Sequence, residues 1–173
     1  MKFLLLSADE KKLTGANVAA ILDNTDLAGL ANGNTGTINI APPAGSALST
    51  PRGSSNATLP SGYNPQFAIG VRIKMLAMRL ITPFVFSDAA IVSCAATVGD
   101  SGSAARYMAS KEMASAGANV AYDPGTGTAY ILLAADNVAV AFTGTAAHNL
   151  NTATAGQVAF YLDCVDITQL PII

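Results

Sequence analysis

Four aspartates are the residues whose type and position first suggest chemistry. Asp163 and Asp166 lie close together near the end of the sequence, and Asp123 and Asp136 lie in segments of turn-forming composition. Grouped carboxylates can coordinate calcium, and a pair of them can cleave a glycosidic bond. However, no glutamate lies near these aspartates, and no set of aromatic residues stands ready to line a sugar-binding cleft. The sequence therefore favours solvated aspartates at strand ends.

A second candidate is the segment Gly99-Asp100-Ser101-Gly102-Ser103, which has the residue types of a serine-nucleophile turn. A nucleophilic serine needs a histidine base and a carboxylate that orients the base. The chain has one histidine, His148, and it follows the serine, whereas chymotrypsin-like proteases place it before the serine. A tight turn after a strand, capped by Asp100, accounts for the same residues. We therefore predict a structural turn here and no protease.

The remaining polar residues have no metal-binding or phosphate-binding spacing. His148 and two widely separated cysteines, Cys94 and Cys164, do not form the clustered ligands of a zinc site. Gly125-Thr126-Gly127 lacks the Gly-Lys-Ser/Thr that completes a phosphate-binding loop.

Both cysteines lie in apolar runs, which predicts buried free thiols, with a disulfide between neighbouring strands as the open alternative. His148 is predicted to lie on the surface. We assign no catalytic, cofactor-binding or metal-binding residue and expect no cofactor.

The elements that must position these residues are organised around residues 66–100. Apolar side chains fall on odd positions over residues 69–75 and on even positions over residues 76–86, which is the two-residue period of a half-buried strand with one change of phase. A one-residue slip would turn the buried set outward, so an extra residue is expected near Met75 and Leu76. A helix is the alternative, because some of the apolar residues also repeat at helical spacing, but it would leave no clean polar face.

Short segments separated by turn signals are predicted along the rest of the chain. The expected strands are residues 3–6, 37–40, 91–98, 128–134, 138–143 and 157–167, with a second change of phase at Val165. The segments 128–134 and 138–143 are expected to form a hairpin across Asp136-Asn137, with Val138, Val140 and Phe142 on one face. A helical pattern covers residues 14–22, a turn covers 101–105, and residues 110–113 form a helical turn or a connection. This series predicts a mainly β fold, an antiparallel β-sandwich or jelly-roll-like domain, over residues 61–173.

Residues 1–60 differ from the rest in composition. Residues 42–60 are rich in proline, glycine, serine, alanine and threonine, and such a segment cannot bury enough apolar surface to fold alone. We predict an extended N-terminal arm over residues 1–60 that lies against a neighbouring subunit and adds a strand to its sheet edge. A linker or a disordered tail is the alternative.

The composition favours a protein that associates with copies of itself. Of the 173 residues, 51% are hydrophobic and only 12% are charged, whereas about 25% charged residues is usual. A neutral surface of small residues is poorly protected against association, so we expect a homo-oligomer. A secreted monomer of similar composition is the alternative.

Charge and hydropathy exclude two classes of partner. The net charge is −2, the basic residues are scattered and tryptophan is absent, which predicts no binding to nucleic acid. No apolar run approaches the roughly 18 residues that span a membrane. The apolar run near the N-terminus is shorter than the roughly 7 to 15 residues of an export signal. We therefore expect a protein that is made in the cytosol, is soluble there and has no membrane contact.

Three stretches together resemble the small virion structural proteins of tailed bacteriophages. They are Ile81-Thr82-Pro83-Phe84-Val85-Phe86-Ser87-Asp88, a strand that ends in Val98-Gly99-Asp100, and the terminal Asp163-Cys164-Val165-Asp166-Ile167. Within that group the pattern is most similar to the head decoration, or cement, class, and it covers residues 67–170. The richness in alanine, threonine and glycine with few charges is similar as well.

The resemblance implies a non-enzymatic, β-rich oligomer that is located in the virion. Such a protein binds the major capsid protein or other virion proteins on the outside of the head shell and stabilises the shell. One alternative is a tail or fibre protein that binds a host surface. Another is a small hydrolase or carbohydrate-binding module.

Overall fold

A computed structural model describes residues 1–44, 46–50, 66–115, 122–123, 125–126 and 128–169, and the fold is mainly β. The strands of this described part are β1 (Lys2–Leu5), β2 (Val18–Asp23), β3 (Thr35–Ile40), β4 (Ser49–Thr50), β5 (Gln66–Phe67), β6 (Val71–Phe86), β7 (Cys94–Asp100), β8 (Ser103–Glu112), β9 (Tyr122–Asp123), β10 (Ala129–Ile131), β11 (Val138–Gly144) and β12 (Ala153–Asp166). The helices are α1 (Ala8–Thr14), α2 (Asn24–Ala28) and two 3-10 turns, Leu150–Thr152 and Ile167–Gln169. Most of the proline- and serine-rich stretch expected at residues 42–60 lies outside the described residues.

Two antiparallel sheets form the body of the molecule, as expected for a β-sandwich. The larger sheet has the order β1-β2-β12-β6-β10, with β9 also paired to β6, and the smaller has the order β3-β11-β7-β8. Strands β4 and β5 form a separate two-stranded pair. The chain crosses between the two main sheets after β2, β6, β8, β10 and β11, and it returns from β3 to the larger sheet by way of β4 and β5.

The expected extra residue in the central strand is confirmed at Leu76. Strand β6 pairs with β12 along its length, and Met75 lies opposite Leu162 whereas Ala77 lies opposite Tyr161, so Leu76 has no partner of its own. Burial changes phase at this point: odd-numbered side chains up to Met75 are buried, and beyond it the large buried side chains are the even-numbered Met78, Leu80 and Phe84. The bulge therefore keeps both halves of a 16-residue strand facing one core. The helical alternative is wrong.

The core lies between the two main sheets. Phe84 of β6 and Phe142 of β11 meet there, with ring centroids 6.1 Å apart and planes at 76°. In this edge-to-face contact the positive edge of one ring meets the negative face of the other, which favours the packing of the two sheets. Complete burial of each phenylalanine contributes roughly 1.5–3 kcal/mol to the free energy of unfolding. The predicted inward face of β11, Val138, Val140 and Phe142, is confirmed as buried.

The structure differs from the arm expected over residues 1–60. Strand β2 is an inner strand of the larger sheet, between β1 and β12, and Val18, Ala20 and Leu22 are completely buried. Strand β3 is part of the smaller sheet. The described residues of this region therefore contribute to both sheets, because the alternating apolar side chains of β2 supply part of the common core.

The helix expected over residues 14–22 is replaced by α1 and β2. Ser7 accepts a hydrogen bond from the Glu10 amide (3.3 Å), and the Glu10 carboxylate accepts one from the Ser7 amide (2.8 Å). This capping box begins α1 at Ala8. Gly15 ends the helix because its φ of 72° is in the left-handed region that favours glycine.

The hairpin expected across Asp136 and Asn137 is wrong. Strand β10 pairs with β6 in the larger sheet, whereas β11 lies between β3 and β7 in the smaller one. The connection between them therefore crosses from sheet to sheet. Turn-forming residues signal a change of direction, and they carry no information about which sheet the chain enters next.

Four further expectations, all about single segments, need correction. Residues 103–112 form one ten-residue strand, β8, where a turn at 101–105 and a helical turn or connection at 110–113 were expected. Strand β12 keeps one phase to its end, because Asp166 is buried and Val165 is only half-buried, so the second change of phase at Val165 is wrong. The predicted strand at 91–98 is shifted to Cys94–Asp100.

Candidate functional site

The segment around Asp100 forms a tight connection between β7 and β8. Asp100 lies opposite Ser103, and its Oδ1 accepts hydrogen bonds from the amides of Gly102 and Ser103, both at 3.0 Å. Gly99 allows the chain to pass closely here, because a Cβ at this position would approach the Ser103 carbonyl oxygen to 1.9 Å. The predicted aspartate-capped turn is therefore present.

Asp100 also faces a second set of polar groups. Its side chain is 3% exposed, and its Oδ2 lies 2.5 Å from Arg106 Nε. The hydroxyl of Tyr107, which is completely buried, donates a hydrogen bond to the same oxygen at 3.2 Å. Burial raises the pKa of Tyr107, and the negative charge of Asp100 raises it further. Burial alone would lower the pKa of Arg106, but the contact with Asp100 outweighs this effect and raises it.

Arg106 connects this cluster to the other sheet. Its guanidinium carbon lies 3.8 Å from the ring centroid of Tyr130 in β10, so a cation–π contact joins β8 to the larger sheet. Ser101 and Asp136 connect the same two regions, because Asp136 Oδ2 accepts hydrogen bonds from the Ser101 hydroxyl (2.6 Å) and amide (3.1 Å). We call Asp100, Ser101, Arg106, Tyr130 and Asp136 the polar end cluster.

A shallow cleft of about 170 Å³ opens beside the polar end cluster. It is lined by the members of the cluster, by Gly102 and by residues 132–135. Pockets that enclose a small organic ligand usually have volumes of roughly 300–1,000 Å³. The cleft is smaller than this, and the two carboxylates that border it already accept hydrogen bonds from Ser101, Gly102 and Ser103. This arrangement serves best as a structural connection between the sheets.

The serine and the histidine considered for catalysis have different partners. The Ser101 hydroxyl donates to Asp136, whereas His148 Nδ1 lies 2.7 Å from Asp88 Oδ2. His148 was expected simply on the surface, and it is instead half-buried and paired. The hydrogen bond with His148 is the main cause of the lowered pKa of Asp88. Ser101 therefore contacts a carboxylate where a triad requires an imidazole.

Glu112, which no sequence pattern marked, is the centre of another polar cluster. Its carboxylate accepts hydrogen bonds from the Ser93 hydroxyl (2.6 Å) and from the amides of Cys94 (2.7 Å), Ala114 (2.9 Å) and Met113 (3.1 Å). Burial by itself raises the pKa of Glu112, but these four donors outweigh burial and the pKa is lowered. Glu112 thus fixes the start of β7 to the end of β8.

The aspartates near the C-terminus have structural partners. Arg72 Nη2 donates to Asp163 Oδ2 at 2.8 Å, and Asp166 accepts hydrogen bonds from the amide (3.0 Å) and hydroxyl (2.7 Å) of Thr168. Asp166 is only 8% exposed, so the expectation of solvated strand-end aspartates is wrong for this residue. The side chain of Asp123 lies outside the described part of the molecule. Among the described residues, no three His, Cys, Asp or Glu side chains are arranged to hold a metal ion.

Both cysteines are free and buried, as expected for structural thiols. Burial, with a smaller effect from the Glu112 carboxylate, raises the pKa of Cys94 to about 12. Burial likewise raises the pKa of Cys164, and Asp163 adds to the effect. Since the thiolate is the reactive form of cysteine, neither side chain is suited to be a nucleophile.

A group of exposed apolar side chains lies at the outer edge of the larger sheet. Ile69, Ile131 and Leu133 are 58%, 41% and 78% exposed. The Gly70 amide donates a hydrogen bond to the Leu132 carbonyl at 2.8 Å. This bond brings the backbone of Ile69, which precedes Gly70, close to that of Leu133, which follows Leu132. We call these three residues the apolar edge patch. An exposed apolar group of this kind is typical of a surface that contacts another molecule.

The two helices of the described chain, with 7 and 5 residues, are too short to cross a membrane. The comparison with protein-family models found no match for this chain, and the comparisons with curated proteins and with solved structures found none either.

Proposed function

We propose that this chain is a non-enzymatic structural protein of a tailed-bacteriophage virion, and that it decorates the head shell and stabilises it through oligomeric contacts. The observation that carries the proposal is the apolar edge patch on a molecule with only 12% charged residues. Burial of Ile69, Ile131 and Leu133 against the major capsid protein would remove apolar surface from water. Each such side chain would contribute up to roughly 1.5–3 kcal/mol to binding before the costs of association.

The polar clusters support a structural role over an enzymatic one. The carboxylates of Asp100, Asp136 and Glu112 accept hydrogen bonds from turn amides and neighbouring hydroxyls. Groups held in this way fix the backbone, whereas a catalytic acid or base needs a free direction of approach to its substrate. The raised pKa values of both cysteines agree with the same role.

The finer description of the fold is part of the proposal. A jelly-roll-like sandwich is supported by the repeated crossings of the chain between two antiparallel sheets. In this proposal the arm contact comes from the stretch after Ile40, since residues 2–40 contain strands of both sheets. Deletion of residues 1–60 would remove the inner strand β2 and is therefore unsuitable as a test of the arm.

The test compares two variants that each place a charge at an exposed apolar position. Leu133→Glu changes the apolar edge patch, and Val92→Glu changes a 60% exposed residue between β6 and β7. We expect Leu133→Glu to reduce the occupancy of the protein on purified virions at least tenfold and Val92→Glu to leave it unchanged. Occupancy is measured by quantitative mass spectrometry of particles purified by density gradient.

Electron cryomicroscopy of the same particles locates the protein. Density on the head surface supports the decoration role, whereas density confined to the tail or fibres favours the alternative of a host-binding structural protein. Absence of the chain from purified particles would contradict both.

A further inference from the structure

The outer edge of β3 is the sheet edge best suited to pair with another strand. Strand β3 is the last strand of the smaller sheet, and its six residues pair with β11 in one continuous register without a bulge. The opposite edge of β3 makes no hydrogen bond to any backbone in the described part of the chain. Sheet edges are usually protected by lysine, proline, a bulge or a covering segment. The sequence Thr-Gly-Thr-Ile-Asn-Ile contains neither a charged residue nor a proline.

The other edges are shorter, charged or partly covered. Strand β1 has four residues and begins with Lys2. Strand β8 contains Arg106 and Lys111, and Thr126 donates hydrogen bonds to the carbonyls of Arg106 and Tyr107 along its outer side. The outer side of β6 is already occupied by two short strands, β9 and β10. Only β3 therefore combines six residues of regular backbone with the absence of charge, among the described edges of the two main sheets.

The side chains around β3 give a second, independent indication that a neighbour is missing. Ile38 points to the core side of the sheet and packs against the core, but it is only partly buried. Leu30 is also partly buried, and it lies over Gly36 so closely that a Cβ there would approach the Leu30 side chain to 2.5 Å. An added strand beside β3 would cover both apolar side chains and would also satisfy the backbone groups of the edge.

We propose that two copies of this chain pair through β3, antiparallel and about a two-fold axis, so that two four-stranded sheets become one eight-stranded sheet. A two-fold axis places two copies of the same strand side by side. The strand must therefore have no charged side chains that would repel the same side chains of the second copy. The outward side chains Thr35, Thr37 and Asn39 are uncharged and meet this requirement. Because six residues form a small interface compared with the roughly 1,200–2,000 Å² of a stable complex, we expect a dimer that dissociates on dilution. This pairing does not depend on the proposed role in the virion.

The test measures association of the full chain by sedimentation velocity between about 1 and 200 μM. The edge variant is Thr37→Lys, and the control is Thr82→Lys, also an exposed threonine, which lies on β6 of the larger sheet opposite Gln157 of β12. We expect the wild-type protein and Thr82→Lys to dimerise with the same midpoint. Thr37→Lys should shift the midpoint at least tenfold to higher concentration, because each copy places a lysine at the paired edge. A wild-type protein that stays monomeric at 200 μM, or a dimer that Thr37→Lys leaves unchanged, would overturn the proposal.

Hydrogen exchange of the wild-type protein provides a second measurement that needs no variant. The amides of residues 35–40 should exchange several-fold more slowly at 200 μM than at 1 μM, whereas those of β7 should not depend on concentration. If the amides of another edge strand, and not those of β3, exchange more slowly at 200 μM than at 1 μM, the proposal is wrong.

Discussion

The guanidinium carbon of Arg106 lies 3.8 Å from the ring centroid of Tyr130, so one side chain connects the two sheets of this protein at their end. The same guanidinium contacts Asp100, whose side chain is 3% exposed. Arg106 thus balances a buried negative charge on one side and contacts an aromatic face on the other. The stability of the turn between β7 and β8 is therefore linked to β10.

Replacement of Arg106 by alanine should destabilise the fold. Removal of one partner of a buried ion pair leaves the other charge uncompensated, at a cost of about 3–5 kcal/mol for a fully buried pair. Since the Arg106 side chain remains 24% exposed, we expect a loss of about 2–3 kcal/mol in the free energy of unfolding, measured by urea denaturation. The control Arg79→Ala, at an exposed position on β6, should change it by less than about 0.5 kcal/mol. Equal effects of the two variants would show that the contacts of Arg106 do not stabilise the fold.

The cation–π contact should appear as coupling between Arg106 and Tyr130. In a double-mutant cycle of Arg106→Ala and Tyr130→Leu we expect a coupling energy of about 1 kcal/mol, because the guanidinium is partly removed from water. Additive effects of the two substitutions would mean that the two side chains are neighbours without a favourable interaction.

Glu112 should make stability depend on pH in acid. Its pKa is lowered in the folded protein, so the unfolded chain binds the proton more tightly than the folded chain does. The contribution of Glu112 is therefore fully present above its unfolded pKa of about 4.3, and it is lost as the pH falls through the folded value. We expect Glu112→Gln to be less stable than the wild type at pH 7 and the difference to shrink below about pH 4.3, as measured by urea denaturation at each pH.

The control for this experiment is the other glutamate of the chain, Glu10, which is fully exposed in the capping box of α1. Glu10→Gln should have a smaller effect on stability at pH 7. A difference between wild type and Glu112→Gln that stays constant from pH 7 to pH 3 would contradict the electrostatic role of Glu112.

Substitution of Gly156 should disrupt the pairing of β12 with β6. Gly156 has a φ of 136°, and a Cβ there would lie 2.2 Å from Phe84 Cδ1 and 2.8 Å from Phe84 Cα. We expect Gly156→Ala to cost about 3 kcal/mol or more, because backbone strain and displacement of a core phenylalanine act together. The control Gly29→Ala, with a φ of −78° and no contact below 3.5 Å, should be nearly neutral in the same thermal or urea denaturation. A stable Gly156→Ala variant would show that Phe84 has room to move.

The cysteines should be inert in the folded protein. Cys94 has a pKa of about 12 and Cys164 is 2% exposed, so neither provides an accessible thiolate at pH 8. We expect no reaction of the native chain with Ellman's reagent and two reactive thiols after denaturation. Val92→Cys, at a 60% exposed position, should add one rapidly reacting thiol. Fewer than two thiols in the denatured wild type, without reductant, would indicate a disulfide.

Local patterns predicted the features that depend on a single strand. The change of phase at Leu76 and the buried face of β11 follow from the two-residue period of a pleated strand, and both are confirmed. Strand β2 was missed because Val18, Ile21 and Leu22 are also spaced for one face of a helix. The capping box from Ser7 to Glu10 is a local signal that would have placed α1 correctly.

Features that depend on distant parts of the chain were not predicted. Periodicity shows which face of a strand is buried, but it does not identify the neighbouring strand, so β10 and β11 were joined as a hairpin although they belong to different sheets. The contact of Arg106 with Tyr130 and the hydrogen bond of Ser101 to Asp136 join residues far apart in the sequence. Glu112 carries no motif, and only the fold brings Ser93 and Cys94 to its carboxylate.

The bulge at Leu76 restricts the number of residues in the middle of β6 as well as their types. Removal of this one residue would abolish the register shift between Tyr161 and Leu162, but it would turn Val71, Ile73 and Met75 away from the core that they now fill. Deletions and insertions are usually tolerated at loops and strand ends. Here the number of residues between Ile73 and Met78 is fixed in the middle of the longest strand, so homologous sequences should align across this segment without gaps.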